Sequence, residues 1–295
     1  MLEWQTAQTA QLRCCHSGAS SSSLPVLVPA IIHGLLHRCC SAATSLKQRR
    51  AAAMDAAWRE LDGYVQSEDD SAAIDAAGGA HPLTYGEVTP AGARRIFAAL
   101  GLGDSQPRNP AAGSDEPVVF VDLGSGVAKL LALALFEAGA SRAIGVEISA
   151  ARHARAVAAF ERLEWCLAPA DTWTAAPTHC EDGTTTRPFE LIHGDMLRHV
   201  GARAAVRTAT HVYLSSLLFE EETMRELCML LGDHAPHVVA IASLREFPSE
   251  MEWGFRLEAT VMAQMDWHRE EGEGLEVYVY RRAEGRTPRG KHVKI

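Results

Sequence analysis

The stretch Val118-Val119-Phe120-Val121-Asp122-Leu123-Gly124-Ser125-Gly126 decides the fold, together with Glu147, which closes Gly145-Val146-Glu147 twenty-one residues beyond Gly126. A β-branched and aromatic run ends on an acid, turns through glycines and enters an apolar helix. That is the strand-turn-helix opening of a nucleotide-type α/β domain. Asp122 narrows the ligand. A dinucleotide places its pyrophosphate at such a turn, and a carboxylate there would repel it. S-adenosylmethionine carries no phosphate but a sulfonium and an ammonium, for which Asp122 is an attractive partner. The third glycine of a dinucleotide pattern would stand at position 129, which is Lys129.

Working outward, residues 127–138 form an almost wholly apolar helix that Gly139 stops. Residues 142–147 read as a second strand, 150–163 as a helix and 164–188 as a polar insertion. A third strand spans 189–193, a fourth 211–214 and a fifth 237–243, with a helix over 219–231 between the last two. Two further runs, 256–265 and 275–280, flank an acidic glycine turn as a hairpin. Upstream, Ala57, Trp58, Leu61 and Val65 predict a helix over 55–65, followed by a linker rich in Ala and Gly. Thr89-Pro90 supplies an N-cap and first-turn proline for a helix ending near Gly101, and 102–117 is a loop. The fold expected is α/β: a seven-stranded, mostly parallel Rossmann-like sheet with helices on both faces, and with an antiparallel C-terminal hairpin that sets one antiparallel strand at the sheet's end.

Composition bounds the chain to one main domain with extensions, since 295 residues at 47% hydrophobic content can bury a full core. The formal charge of -9 argues against broad affinity for nucleic acid. Residues 1–53 run against that trend, with five Lys/Arg, one acid and seven serines. This leader resembles an organellar transit peptide for plastid or mitochondrion, or else is an extension ahead of a start at Met54. Seven cysteines in two adjacent doublets and three singles make no disulfide framework and no metal spacing. The longest apolar run, 24–36, is broken by prolines and too short for a bilayer, so no membrane partner is expected. The organisation expected is a disordered or transit-like leader over 1–53, then a helical segment with a loop over 54–115. An S-adenosylmethionine-binding domain is expected over 116–282, and a basic tail over 283–295.

Gly124, Ser125 and Gly126 let backbone pass close to the cofactor, and the following helix offers free amides to its carboxylate. Glu147, at the end of the second strand, is placed to accept both ribose hydroxyls. Asp195, in Gly194-Asp195 at the end of the third, is placed to accept the adenine amino group. Lys129 and Met196 complete the expected cofactor set. Tyr85, Tyr213, Phe219, Trp267 and Tyr278 are aromatic candidates for a water-excluding acceptor channel.

Leu83-Thr84-Tyr85-Gly86-Glu87-Val88-Thr89-Pro90 ahead of the glycine turn resembles the disruptor-of-telomeric-silencing family, the histone lysine methyltransferases built on a seven-strand sheet instead of a SET domain. The likeness continues through Val212-Tyr213-Leu214-Ser215-Ser216-Leu217-Leu218-Phe219 and Asp266-Trp267, covering about 200 residues. The resemblance implies that the Tyr85 loop folds over the cofactor, with Glu87 and Thr89 at its methionine moiety. It also implies a core lysine of histone H3 as acceptor, with Ser215, Tyr85 and Phe219 around the transfer, and a nuclear location; without it the default is the cytoplasm. Two departures stand out. Ser215-Ser216 replaces the family's Asn-Asn or Asn-Ser, and a serine reproduces only part of an amide's bonding. Ala128 replaces a usual glycine, which is tolerable if the helix has already begun there. The alternatives are therefore a methyltransferase acting on a non-histone protein or small molecule, or an inactive cofactor-binding module. Residues 281–295 hold six basic residues and one acid, enough for a weak contact with DNA.

Overall fold

The computed structural model describes residues 46–64, 67–77, 85–103, 117–166, 187–249, 253–270 and 272–283. The insertion and basic tail expected over 164–188 and 283–295 lie almost wholly outside them, as does the leader up to residue 45. Among the described residues no helix is long and apolar enough to cross a membrane.

Seven strands form one sheet in the order β3-β2-β1-β4-β5-β7-β6. Its centre is β1 (Val119–Leu123), with every residue buried, between β2 (Arg142–Glu147) and β4 (His211–Leu214). The strands β3 (Phe189–His193) and β5 (Ala240–Ser243) extend the parallel set on either side. The hairpin is β6 (Phe255–Ala263) and β7 (Leu275–Arg282), and β7 inserts antiparallel between β5 and β6. The antiparallel strand is thus internal rather than at the end, as expected from chain order. The later strand pairs with β5 because its apolar Val277, Val279 and Tyr280 are the ones that fill the core.

Alternation along β1 divides the core. Phe120 packs with α1 (Leu46–Ala57), α3 (Pro90–Leu100), α4 (Lys129–Glu137) and α5 (Ala150–Cys166) on one face. Val119, Val121 and Leu123 pack with α6 (Val200–Thr208) and α7 (Glu221–His234) on the other. Asp122 falls on the Phe120 face by the two-residue period.

Three local expectations are corrected. The first helix among the described residues spans Leu46–Ala57, not 55–65, so the boundary drawn at 53/54 falls inside an element. Its alanines and buried Arg50 dock it: the Arg50 guanidinium reaches the Phe136 carbonyl at 3.2 Å. Trp58 follows the helix, and its indole N–H donates to the Val127 carbonyl at 2.7 Å. The Ala/Gly linker contains a helix, α2 (Glu68–Ala76), started by a reciprocal capping box between Ser67 and Asp70. Finally, α6 occupies the segment between β3 and β4 that the apolar pattern leaves unassigned; His199 caps it by accepting from the Gly201 amide at 3.1 Å.

Candidate active site

The carboxyl ends of β1, β2 and β4 open into a cavity of about 540 Å³. That size suits a nucleoside-bearing small molecule. At its floor the turn after β1 is tight: Gly124 and Gly126 adopt φ of +91° and +56°. The amides of Gly124 and Ser125 donate to the Val146 carbonyl, at 2.9 and 3.0 Å, which locks the turn against β2.

Ala128 follows with φ +64°, in the left-handed region, and the helix begins only at Lys129. The expectation that the helix had already started at Ala128 is overturned. The turn requires left-handed backbone there, and an alanine bears the strain, about 1–2 kcal/mol.

Asp122 is 2% exposed, and its Oδ1 has no hydrogen-bond partner. Burial, and then the negative charge of Glu147, push its carboxyl well above the usual range. Beside it on β4, Tyr213 is equally buried, with an unpartnered hydroxyl; burial and then Asp122 push its phenol up. Glu147 is buried as well, and its two oxygens accept from the Gly126 amide at 2.7 Å and the Ser149 amide at 2.8 Å. Burial raises its pKa, while the Ser149 amide, the Arg152 charge and the Gly126 amide oppose the rise. Each oxygen keeps a second lone pair for a ligand hydroxyl.

A clasp closes the cavity on one side. Tyr85 donates to Glu87 Oε1 at 2.9 Å and accepts from the Val127 amide at 3.3 Å. Burial and the charge of Glu87 raise its phenol well above the ordinary value. Glu87 also pairs with Lys129, and its amide donates to Asp266 Oδ1 at 3.0 Å. Tyr64 donates to the other Asp266 oxygen at 2.7 Å and meets the Tyr85 ring edge-on. The Trp267 ring lies so close to Gly86 that a Cβ there would come within 1.7 Å of it.

The cavity therefore gathers Tyr85, Glu87, Asp122, Gly124, Ser125 and Gly126. Lys129, Glu147, Met196, Ser215 and Phe219 join them, with Tyr213 and Trp267. Two expected cofactor residues stay out. The Thr89 hydroxyl caps α3, accepting from the Gly92 amide at 3.1 Å and donating to the Gln264 carbonyl. Asp195 folds into its own turn, with Oδ1 accepting from the Leu197 amide at 2.7 Å and Oδ2 from Arg198. Tyr278 lies on β7 with its hydroxyl on Glu276, outside the cavity. Of the serine pair, only Ser215 faces the cavity; Ser216 is fully buried against Ser243 Oγ at 2.7 Å and the Arg245 amide.

Sequence reasoning missed Tyr64, Arg152 and Asp266 as parts of this site. Asp266 stood next to a noted tryptophan, but its partners are 179 and 202 residues away in the chain. Arg152 sits in the first turn of α5, where a periodicity argument reads it as a solvated charge.

S-adenosylmethionine fits these residues. Its cationic groups would satisfy the unpartnered oxygen of Asp122, its ribose Glu147, and its carboxylate Lys129 and the free amides of α4. The dinucleotide alternative would set a pyrophosphate against Asp122 and Glu147, two buried acids.

Solved structures similar to this chain include TrmK of M. capricolum in complex with S-adenosyl-homocysteine, at 12% identity, covering 64% of this chain and 67% of that one, with a TM-score of 0.39. TrmK of B. subtilis gives 15%, 65% of each chain and 0.40. A TehB-like methyltransferase of Corynebacterium glutamicum gives 11%, 65% and 88%, and 0.37. No curated protein matches the chain in sequence. The sequence model described as "Histone methylation protein DOT1" matches residues 81–269, from ahead of the Tyr85 loop to just past Trp267. With that match spanning the glycine turn, both buried acids, and Tyr85, Glu87 and Asp266 of the clasp, this chain, a class I S-adenosylmethionine-dependent methyltransferase, belongs to the DOT1 family.

Proposed function

We propose that the chain is a protein-lysine N-methyltransferase whose acceptor is a core lysine of histone H3. The observation that carries the reading is that a single cavity is lined both by the acids Asp122 and Glu147 and by Ser215, Phe219 and Trp267. Cofactor pocket and acceptor wall are thus continuous. The family's description, a histone methylation protein, supports the choice of acceptor.

When bound, S-adenosylmethionine supplies a methyl group activated on a sulfonium. Asp122 orients the cationic end, and Glu147 holds the ribose. Phe219, Trp267 and Leu217 offer apolar lining to an entering amine, which sheds hydration against them and reaches the site neutral. The aromatic faces also tolerate the charge that the amine acquires on methylation. Ser215 offers one hydroxyl to the acceptor nitrogen and so orients its lone pair. No strong base is needed; the proton is lost to solvent before the amine enters.

A second reading rests on Ser215, whose short hydroxyl replaces an amide: the acceptor is then another protein or a small molecule. A nuclear location and contact with nucleosomal DNA through residues 283–295 belong to the first reading. Labelled methyl transfer onto nucleosomes, free histones and a whole-cell extract separates the two. Label on H3 supports the histone reading, label elsewhere the second, and cofactor binding without label an inactive module.

A further inference from the structure

Among the described residues, Arg152 is the one buried cation of the cavity wall that the cofactor reading leaves unused. It is 6% exposed, and its side chain reaches the cavity beside Glu147. A buried guanidinium is costly unless its charge and its N–H groups are matched. Two matches are present: Nε donates to the Gly63 carbonyl at 3.1 Å, and the guanidinium stacks on the Tyr85 ring at 4.4 Å. They leave the cation incompletely satisfied. Nη2 has no hydrogen-bond partner, and among the described residues no carboxylate stands within ion-pair distance.

The same cavity wall therefore holds two incomplete groups of opposite character. Glu147 accepts one amide at each oxygen and has lone pairs left; Arg152 has N–H left. A vicinal diol satisfies such a pair, because each hydroxyl can donate to the carboxylate and accept from the guanidinium. We propose that Arg152 is a further ligand-binding residue that reads the ribose of the cofactor jointly with Glu147. The proposal rests on the cofactor reading and deepens it, giving the ribose a donor as well as an acceptor. The Tyr85 stack supports it sterically, since the ring packs so tightly against Gly63 and Gly126 that it fixes the plane of the guanidinium.

Calorimetric titration with S-adenosylhomocysteine, its 2′-deoxy and 3′-deoxy analogues, and methylthioadenosine tests this without turnover. Wild type binds S-adenosylhomocysteine and binds at least one deoxy analogue about tenfold more weakly, the loss of one charge-assisted hydrogen bond. Arg152→Met weakens S-adenosylhomocysteine and methylthioadenosine alike, by about tenfold, yet weakens that deoxy analogue by no more than about twofold. Arg152→Lys, which keeps charge and stem, falls between. Equal losses for ribose and deoxyribose ligands would overturn the proposal and leave Arg152 a support for Tyr85. Loss confined to S-adenosylhomocysteine would move Arg152 to the methionine carboxylate, overturning it too, as would failure of both variants to fold by circular dichroism. Failure of wild type to bind any of the ligands would instead sink the cofactor reading itself.

Discussion

Asp122 and Tyr213 are register partners on β1 and β4, and one oxygen of each is buried in the cavity wall without a hydrogen-bond partner. A neighbouring strand thus presents a phenol where the first strand presents an acid, and neither satisfies the other. Two unmet oxygens in a dry wall are tolerated where a ligand completes them, and the consequences can be measured.

Asp122→Asn keeps the shape and removes the charge. Affinity for S-adenosylhomocysteine, titrated calorimetrically, is expected to fall at least tenfold, in line with about 1.5–3 kcal/mol for a charged hydrogen bond. Stability at pH 7 is expected to move the other way. The folded pKa of Asp122 is raised, so its stabilising contribution is complete below the unfolded value and is lost as pH rises through the folded one. The variant escapes that loss, and its Tm at neutral pH should exceed that of wild type.

Cofactor binding should release a proton. A cation next to Asp122 favours the carboxylate, so affinity rises with pH until the raised pKa is passed and then levels off. Titrations at one neutral pH in phosphate and in Tris should give different apparent enthalpies, the difference reporting protons handed to the buffer. Identical enthalpies would show that Asp122 is already ionised in the ligand-free fold.

Two of the three left-handed positions of the turn, Gly126 and Ala128, should respond unequally. A Cβ at Gly126 would stand 2.7 Å from the Tyr85 hydroxyl, at a φ of +56°. Gly126→Ala is therefore expected to cost about 2 kcal/mol or more in urea unfolding and to weaken cofactor binding by displacing Tyr85. Ala128→Gly relieves about 1–2 kcal/mol of strain. It adds about 0.5–1 kcal/mol of backbone entropy cost and removes a buried methyl worth about 0.8. The net change should stay within about 1 kcal/mol.

The clasp should loosen without global unfolding. Asp266→Ala removes the acceptor of both the Glu87 amide and the Tyr64 hydroxyl. Faster hydrogen exchange at the Glu87 amide and several-fold weaker cofactor binding are expected, with little change in exchange at β1. Exchange that rises equally at both sites would mean that the clasp is part of the global fold.

The DOT1 family and the succession of strands along the chain were legible because they rest on local pattern. A strand, an acid and a glycine turn occupy nine consecutive residues, and Thr89-Pro90 with Gly101 marks both ends of α3 as it stands. Helices without a clear apolar stripe were harder. The capping box of α2 was present in Ser67 and Asp70, but its Ala-rich body reads as linker until it docks; Asp70 reaches the first turn of α5 at the Ala151 amide.

By itself, then, the sequence determined which chemistry the chain can hold: an acid in place of a phosphate site at Asp122, a second at Glu147 and a covering loop at Tyr85. Only the tertiary structure decided which of the proposed residues meet. It kept Asp195 and Thr89 for turn and cap, turned Ser215 inward and Ser216 away, brought Tyr64 and Arg152 to the cavity from distant segments, and set Asp266 behind the clasp. The reason is physical. Spacing along a strand fixes a side chain's face, but whether a polar atom reaches a ligand or a nearby amide is settled by what packs against it.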